Sequence, residues 1–175
     1  MRRLMIAAAL IAALAILPGC RYKKKPKVRS AINDGEPVSL LNVADPHADF
    51  QLTRGFWNVE NGAWRWTMRN FTVMLRPPAR AALNGATLEL HFSIPEVMFN
   101  KVGAMTLDAH LNGSDLGSET YPHAGEFTYR RDVPAALLGG NTVAVDFSVD
   151  KGLPPTGQDT RELALVVTTI GLLPK

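Results

Sequence analysis

The chain has one cysteine among its 175 residues, so no disulfide can form within it. It has a single long apolar run, Leu4 to Leu17, and at 14 residues this is too short to cross a bilayer comfortably as a helix. Helical periodicity is scarce, and there is no repeat, low-complexity block or internal linker. There is no nucleophile elbow and no phosphate-cradling glycine loop. Any two of the 16 Asp and Glu could still meet in space as a hydrolytic carboxylate pair, yet no pattern singles out two of them. The chain is therefore expected to be non-catalytic, with no cofactor and no metal.

Positive charge is also missing from the part that folds, despite the overall balance of +3. Arg2 and Arg3 precede the apolar run, and Arg21, Lys23, Lys24, Lys25, Lys27 and Arg29 crowd into one short stretch. From Ser30 onward 11 basic side chains face 16 acidic ones, a net charge of −5. A nucleic-acid partner needs its positive charge on the folded surface, so none is expected.

The ends carry a sharper message. A basic start at Met1-Arg2-Arg3, the apolar run and then Pro18-Gly19 are the parts of a secretory signal that is removed. Leu17-Pro18-Gly19-Cys20 resembles the bacterial lipobox, although proline in its second position is unusual. The resemblance implies cleavage before Cys20 and a lipid on its thiol, which leaves no free thiol. Residues 1–19 are then the signal, 20–37 a lipidated cysteine with a basic tether, and 38–175 one domain large enough for its own core. The tether holds Pro26 and few apolar side chains, so it is expected to stay extended. Each Lys or Arg there could add about 1 kcal/mol of attraction to an anionic lipid surface, or the stretch could be a plain spacer. Arg21 stands where enterobacterial lipoproteins retained at the inner membrane tend to carry an acidic residue. An outer-membrane address facing the periplasm follows, provided the source has two membranes.

Within the domain, period-two alternation predicts half-buried antiparallel strands. Leu88, Leu90, Phe92 and Ile94 share one face of 87–94, Leu107, Ala109 and Leu111 one face of 106–111, and Val143, Val145, Phe147 and Val149 one face of 142–150. The segment 162–170 is apolar on both faces and predicts a central strand. Single helical turns are expected at 95–102 and 134–138. Asn61-Gly62 suits a tight type I′ turn and predicts a two-residue hairpin loop pairing Trp57 with Trp66, Val59 with Trp64 and Asn58 with Arg65. All three tryptophans would then share one face, either as core or as a platform on which sugar rings stack.

From about Gly55 to Leu172 the chain resembles the galactose-binding-like jelly-roll domains of bacterial envelope and polysaccharide-related proteins. The residues that carry the likeness are Gly55-Phe56-Trp57, Arg65-Trp66-Thr67, Leu111-Asn112-Gly113 with Leu116-Gly117, Arg131 to Ala135 with Leu137-Leu138, and Arg161-Glu162-Leu163. The resemblance implies an all-β antiparallel sandwich that often binds sugars through loops at one rim. Candidate ligand residues are Trp64 and Arg65 on the hairpin, with Tyr121, His123, Asp150, Lys151, Asp159 and Arg161 in two loop segments, 112–125 and 150–161. Each has a plain structural alternative, such as Asp159 or Arg161 fixing the Pro154-Pro155 loop. Glu89, His91, Asp108 and His110 would make a carboxylate and imidazole patch if their strands were neighbours. Expected partners are the membrane, through the lipid, and either a glycan or, in a competing reading, an envelope protein held by a sheet face or edge.

Overall fold

A computed structural model describes residues 35–175. Cys20, the signal and the basic stretch lie outside the described residues. The elements are β1 (Leu40–Asn42), β2 (Leu52–Glu60), β3 (Trp64–Leu75), α1 (Ala81–Asn84), β4 (Ala86–Ile94), α2 (Glu96–Val102), β5 (Met105–Leu111), β6 (Ser114–Tyr121), β7 (Gly125–Val133), β8 (Val143–Val149) and β9 (Val166–Pro174). Every strand pair is antiparallel. One layer runs β6-β5-β8-β3-β2, and the other β7-β4-β9-β1. The long strand β3 belongs to both: Asn70 to Leu75 pair with β8, while Arg65 and Trp66 pair with Val167 and Val166 of β9. The chain changes layer after β1, β3, β4, β6, β7 and β8, the winding of a jelly roll.

The alternating apolar residues of β4, β5 and β8 are all buried, as their spacing predicts. Phe71 stacks on Phe147 with ring centroids 4.9 Å apart, and Tyr129 meets Phe147 edge-on at 6.3 Å, joining the two layers. Burial pushes the Tyr129 phenol up to about 12. Its hydroxyl donates to the Gly117 carbonyl of β6. Beside it the Arg131 guanidinium lies 4.3 Å over the Tyr129 ring, donates to Ser118 O at 2.8 Å and pairs with Glu119 at 2.9 Å. Side chains of β7 thus occupy backbone acceptors of β6 that an open sheet edge would leave bare.

Three expectations need correction. Much of the loop segment 112–125 is strand β6, whose alternation is blurred because an edge strand exposes residues on both faces. The apolar strand near the end begins at Val166 and continues to Pro174, flanked on both sides as expected of a central strand. In the hairpin, Asn61 and Gly62 do take positive φ, at 50° and 65°, and Ala63 N–H bonds Glu60 O. Yet the ladder starts at Glu60 with Trp64, so the loop has three residues, and a further shift lies between Phe56 and Val59. Arg65 consequently pairs with Val59 and Thr67 with Phe56, and Trp57 and Trp66 are not directly opposite.

Gly55 makes possible another shift of the β2–β3 ladder, between Arg54 and Phe56. Its φ is +77°, and a Cβ there would stand 2.2 Å from Asn70 O. Gly55→Ala is expected to destabilise the domain by about 2 kcal/mol or more. Gly62 has open space around it, so Gly62→Ala carries only the cost of its positive φ. Thermal midpoints of the two variants check the contrast.

Candidate functional site

The outer face of the β7-β4-β9 layer holds a groove of about 560 Å³. Its polar lining comes from Glu89, His91 and Ser93 of β4, Glu126 and Thr128 of β7, and Thr168 and Thr169 of β9, with Leu40, Phe127 and Leu173 as apolar neighbours. Alternation turns Thr87, Glu89, His91 and Ser93 outward, but Glu89 is only 6% exposed. The register explains this burial. Leu40, Gly171, Glu89 and Arg130 form one row across four strands. Gly171 has no side chain, and the Leu40 methyl lies where a Cβ would stand, 2.6 Å from that position. Leu40 and Arg130 therefore close over the carboxylate from its two sides.

A buried carboxylate needs partners, and Glu89 has two. One oxygen is ion-paired with the Arg130 guanidinium, and the other lies 3.2 Å from His91 Nε2. A carboxylate can only accept, so Nε2 of a neutral His91 carries the proton and Nδ1 is an acceptor. Nδ1 lies 3.0 Å from the Thr128 hydroxyl, which then donates to it. Arg130, Glu89, His91 and Thr128 form a continuous relay that fixes an imidazole and a hydroxyl on a rigid sheet face. Phe127 pairs with Phe92, so its ring lies on the inner side of β7, against Phe92 and Tyr121 and 5.1 Å from the His123 ring.

None of the eight ligand residues expected from the sequence lines this groove. Arg65 faces inward, opposite Val167, and is 7% exposed. Its Nε donates to Val43 O at 2.7 Å, one terminal nitrogen to Trp57 O at 3.4 Å and the other to Asp49 at 2.5 Å. It is a structural pin and not a hairpin surface charge, because the alternation of β3 buries Arg65 and Thr67 on the same face as Phe71, Val73 and Leu75. Tyr121 is not in a loop: it ends β6, is 4% exposed, and packs on Phe92 and Phe127. Burial raises its phenol well above the usual range.

Asp150 accepts from Thr106 N–H at 2.7 Å, and Lys151 donates to Ala104 O, so both fasten the chain to the start of β5. Arg161 forks onto Asp159 at 2.9 and 3.0 Å, reaches Glu60 at 2.6 Å and lies over Trp57. The hydrogen bonds from Arg161 hold the Asp159 carboxyl below the ordinary carboxylate value. This is the loop-fixing alternative, with Glu60 as a further partner of Arg161. His123 is exposed in the β6–β7 turn. Trp57, whose indole donates to Glu162 O at 2.8 Å, and Trp66 pack on the core. Trp64 is half-buried on β3, one step from the Arg65–Val167 pair toward Thr168, and is not among the residues that line the groove.

The four-residue patch of Glu89, His91, Asp108 and His110 is divided, because β4 and β5 belong to different layers. His110 lies 3.4 Å from Asp108 on the far sheet. Among the described residues no group of three His, Cys, Asp or Glu is placed to hold a metal. Sequence reasoning missed Thr128, Thr168 and Thr169, since nothing in β7 or β9 marks these hydroxyls as neighbours until the register is known.

No protein-family model and no curated protein matches this chain. Solved structures resemble it distantly. An acetyl xylan esterase of the rumen bacterium Butyrivibrio proteoclasticus is 9% identical with a TM-score of 0.45, over 78% of this chain and 32% of that one. The chain thus spans about a third of the esterase. A family 35 carbohydrate-binding module of Clostridium thermocellum is 10% identical with a TM-score of 0.44, over 77% of this chain and 98% of that one. A carbohydrate-binding module CBM36 solved with calcium and xylotriose is 8% identical with a TM-score of 0.41, over 77% and 99%. Likeness this distant transfers neither residue roles nor ligands.

Proposed function

We propose that this chain is a non-catalytic glycan-binding lipoprotein, anchored by a lipid on Cys20 at the periplasmic face of an outer membrane. The observation that carries the binding role is the groove with its relay. Hydroxyls of Ser93, Thr128, Thr168 and Thr169 and the His91 imidazole surround a cleft flanked by Leu40 and Leu173. Sugars offer a matching pair of surfaces, hydroxyl edges and an apolar C–H face. The relay orients its donors and acceptors before any ligand arrives, which lowers the ordering cost of binding.

The test is retention of the chain on immobilised envelope polysaccharides and a glycan array, run beside co-purification. Retention without a stoichiometric protein partner supports the reading. A stoichiometric partner with no glycan retention would replace it with the assembly role. His91→Ala is expected to weaken glycan affinity about three- to tenfold, since it frees the Thr128 hydroxyl and removes one hydrogen-bonding group. Calorimetric titration measures it.

The anchor is tested separately. Cys20→Ala is expected to leave the chain unlipidated and out of the detergent phase, because a basic stretch alone gives weak, salt-sensitive attachment. Partition like that of the wild type would show that the lipobox reading is wrong.

A further inference from the structure

The groove does not end at Ser93 and Glu126. A second depression of about 320 Å³ is lined by these same two residues and by Glu96, so the two form one channel. Gly125 and Ala124 border its far part, where small side chains leave the path open. A channel suits a ligand that is itself a chain.

Its charge has one sign. Among the described residues, Glu89 and Glu126 line the first part, Glu126 and Glu96 the second, and neither lining contains Lys or Arg. Glu89 is neutralised by Arg130. Glu126 and Glu96 are exposed, and neither has an ion pair among the described residues. They stand in successive positions along the channel, bracketing the Ile94–Gly125 end of the β4–β7 pair. A uronate or sulfated sugar laid there would meet two unopposed carboxylates. A protonated amine would meet two acceptors.

Resting on the glycan reading above, we infer that the channel selects glycans bearing free amines and disfavours acidic ones. Glu126, shared by both parts, is the principal determinant, and Glu96 extends the preference along the chain. The effect of an exposed charge pair is modest, so the preference is about two- to fivefold per site at low salt and shrinks as salt is added.

Titration of the full chain with a glucosamine oligomer, its N-acetylated counterpart and a uronate oligomer, below the pKa of the amine, tests this. The expected order of affinity is amine, then N-acetyl, then uronate, with the amine's advantage reduced by salt. Replacing both Glu126→Gln and Glu96→Gln is expected to equalise the amine and N-acetyl forms. Equal binding of those two by the unaltered chain, tighter binding of the uronate, or an advantage that persists in the double variant would overturn the inference while leaving the glycan reading intact. Failure of all three to bind, with neutral glycans also inert on an array, would overturn both.

Discussion

Arg65→Met is expected to cost about 3 kcal/mol or more and to lower the thermal midpoint by about 10 °C. Methionine keeps most of the apolar stem, so packing loss is not the main term. What is lost is the guanidinium that satisfies Val43 O and Trp57 O in the interior, and an unpaired buried acceptor costs about 1 to 3 kcal/mol. Asp49, its third partner, has a side chain 73% exposed, so removing it leaves a hydrated guanidinium edge. Asp49→Ala should therefore cost about 1 kcal/mol or less. Thermal or denaturant unfolding of the two variants compares them. Equal, small effects would mean that Arg65 is an ordinary surface cation, as the hairpin pattern alone suggests.

The second large effect concerns binding. Thr169 stands beside His91 in the middle of the groove, one row along from the Leu40–Gly171–Glu89–Arg130 row. Thr169→Trp would place an indole across a space of about 560 Å³ and cover the His91 and Thr128 groups. Glycan binding is expected to vanish, while the midpoint changes by only a few degrees, since the position faces outward and aromatic residues suit strands. Retention assays and a melting curve on the same preparation measure both. Unchanged retention would move the site elsewhere on the domain.

The core was readable from the sequence because alternation is a local property. Leu88 to Ile94 and Val143 to Val149 declare their inward faces by spacing alone, and burial follows wherever the second layer lies. The site was not readable in this way. It is assembled from β1, β4, β7 and β9, which meet only through register, and its central carboxylate is buried by the absence of a side chain at Gly171. Glu89 and His91 could be seen as an outward pair, but their companions from the sequence, Asp108 and His110, lie on the opposite sheet.

The hairpin shows the converse failure. Asn61-Gly62 correctly marked the turn, yet Arg65 lies on the inward face of β3, in line with Phe71, Val73 and Leu75, which the hairpin pattern alone does not reveal. The quoted likeness to jelly-roll domains behaves in the same manner. Gly55, Arg65, Gly117, Arg131 and Arg161 each hold a bend, a pin or an edge closure. Those signatures mark how the sandwich is kept together and leave the ligand unspecified.

Chemical-shift mapping of the isotopically labelled chain, titrated with an oligosaccharide that an array selects, tests the central claim most directly. The account predicts that the largest perturbations fall on 89–93, 126–128 and 168–169, saturating together as one site. Perturbations confined to the 150–161 loop, with those three segments silent, would contradict it.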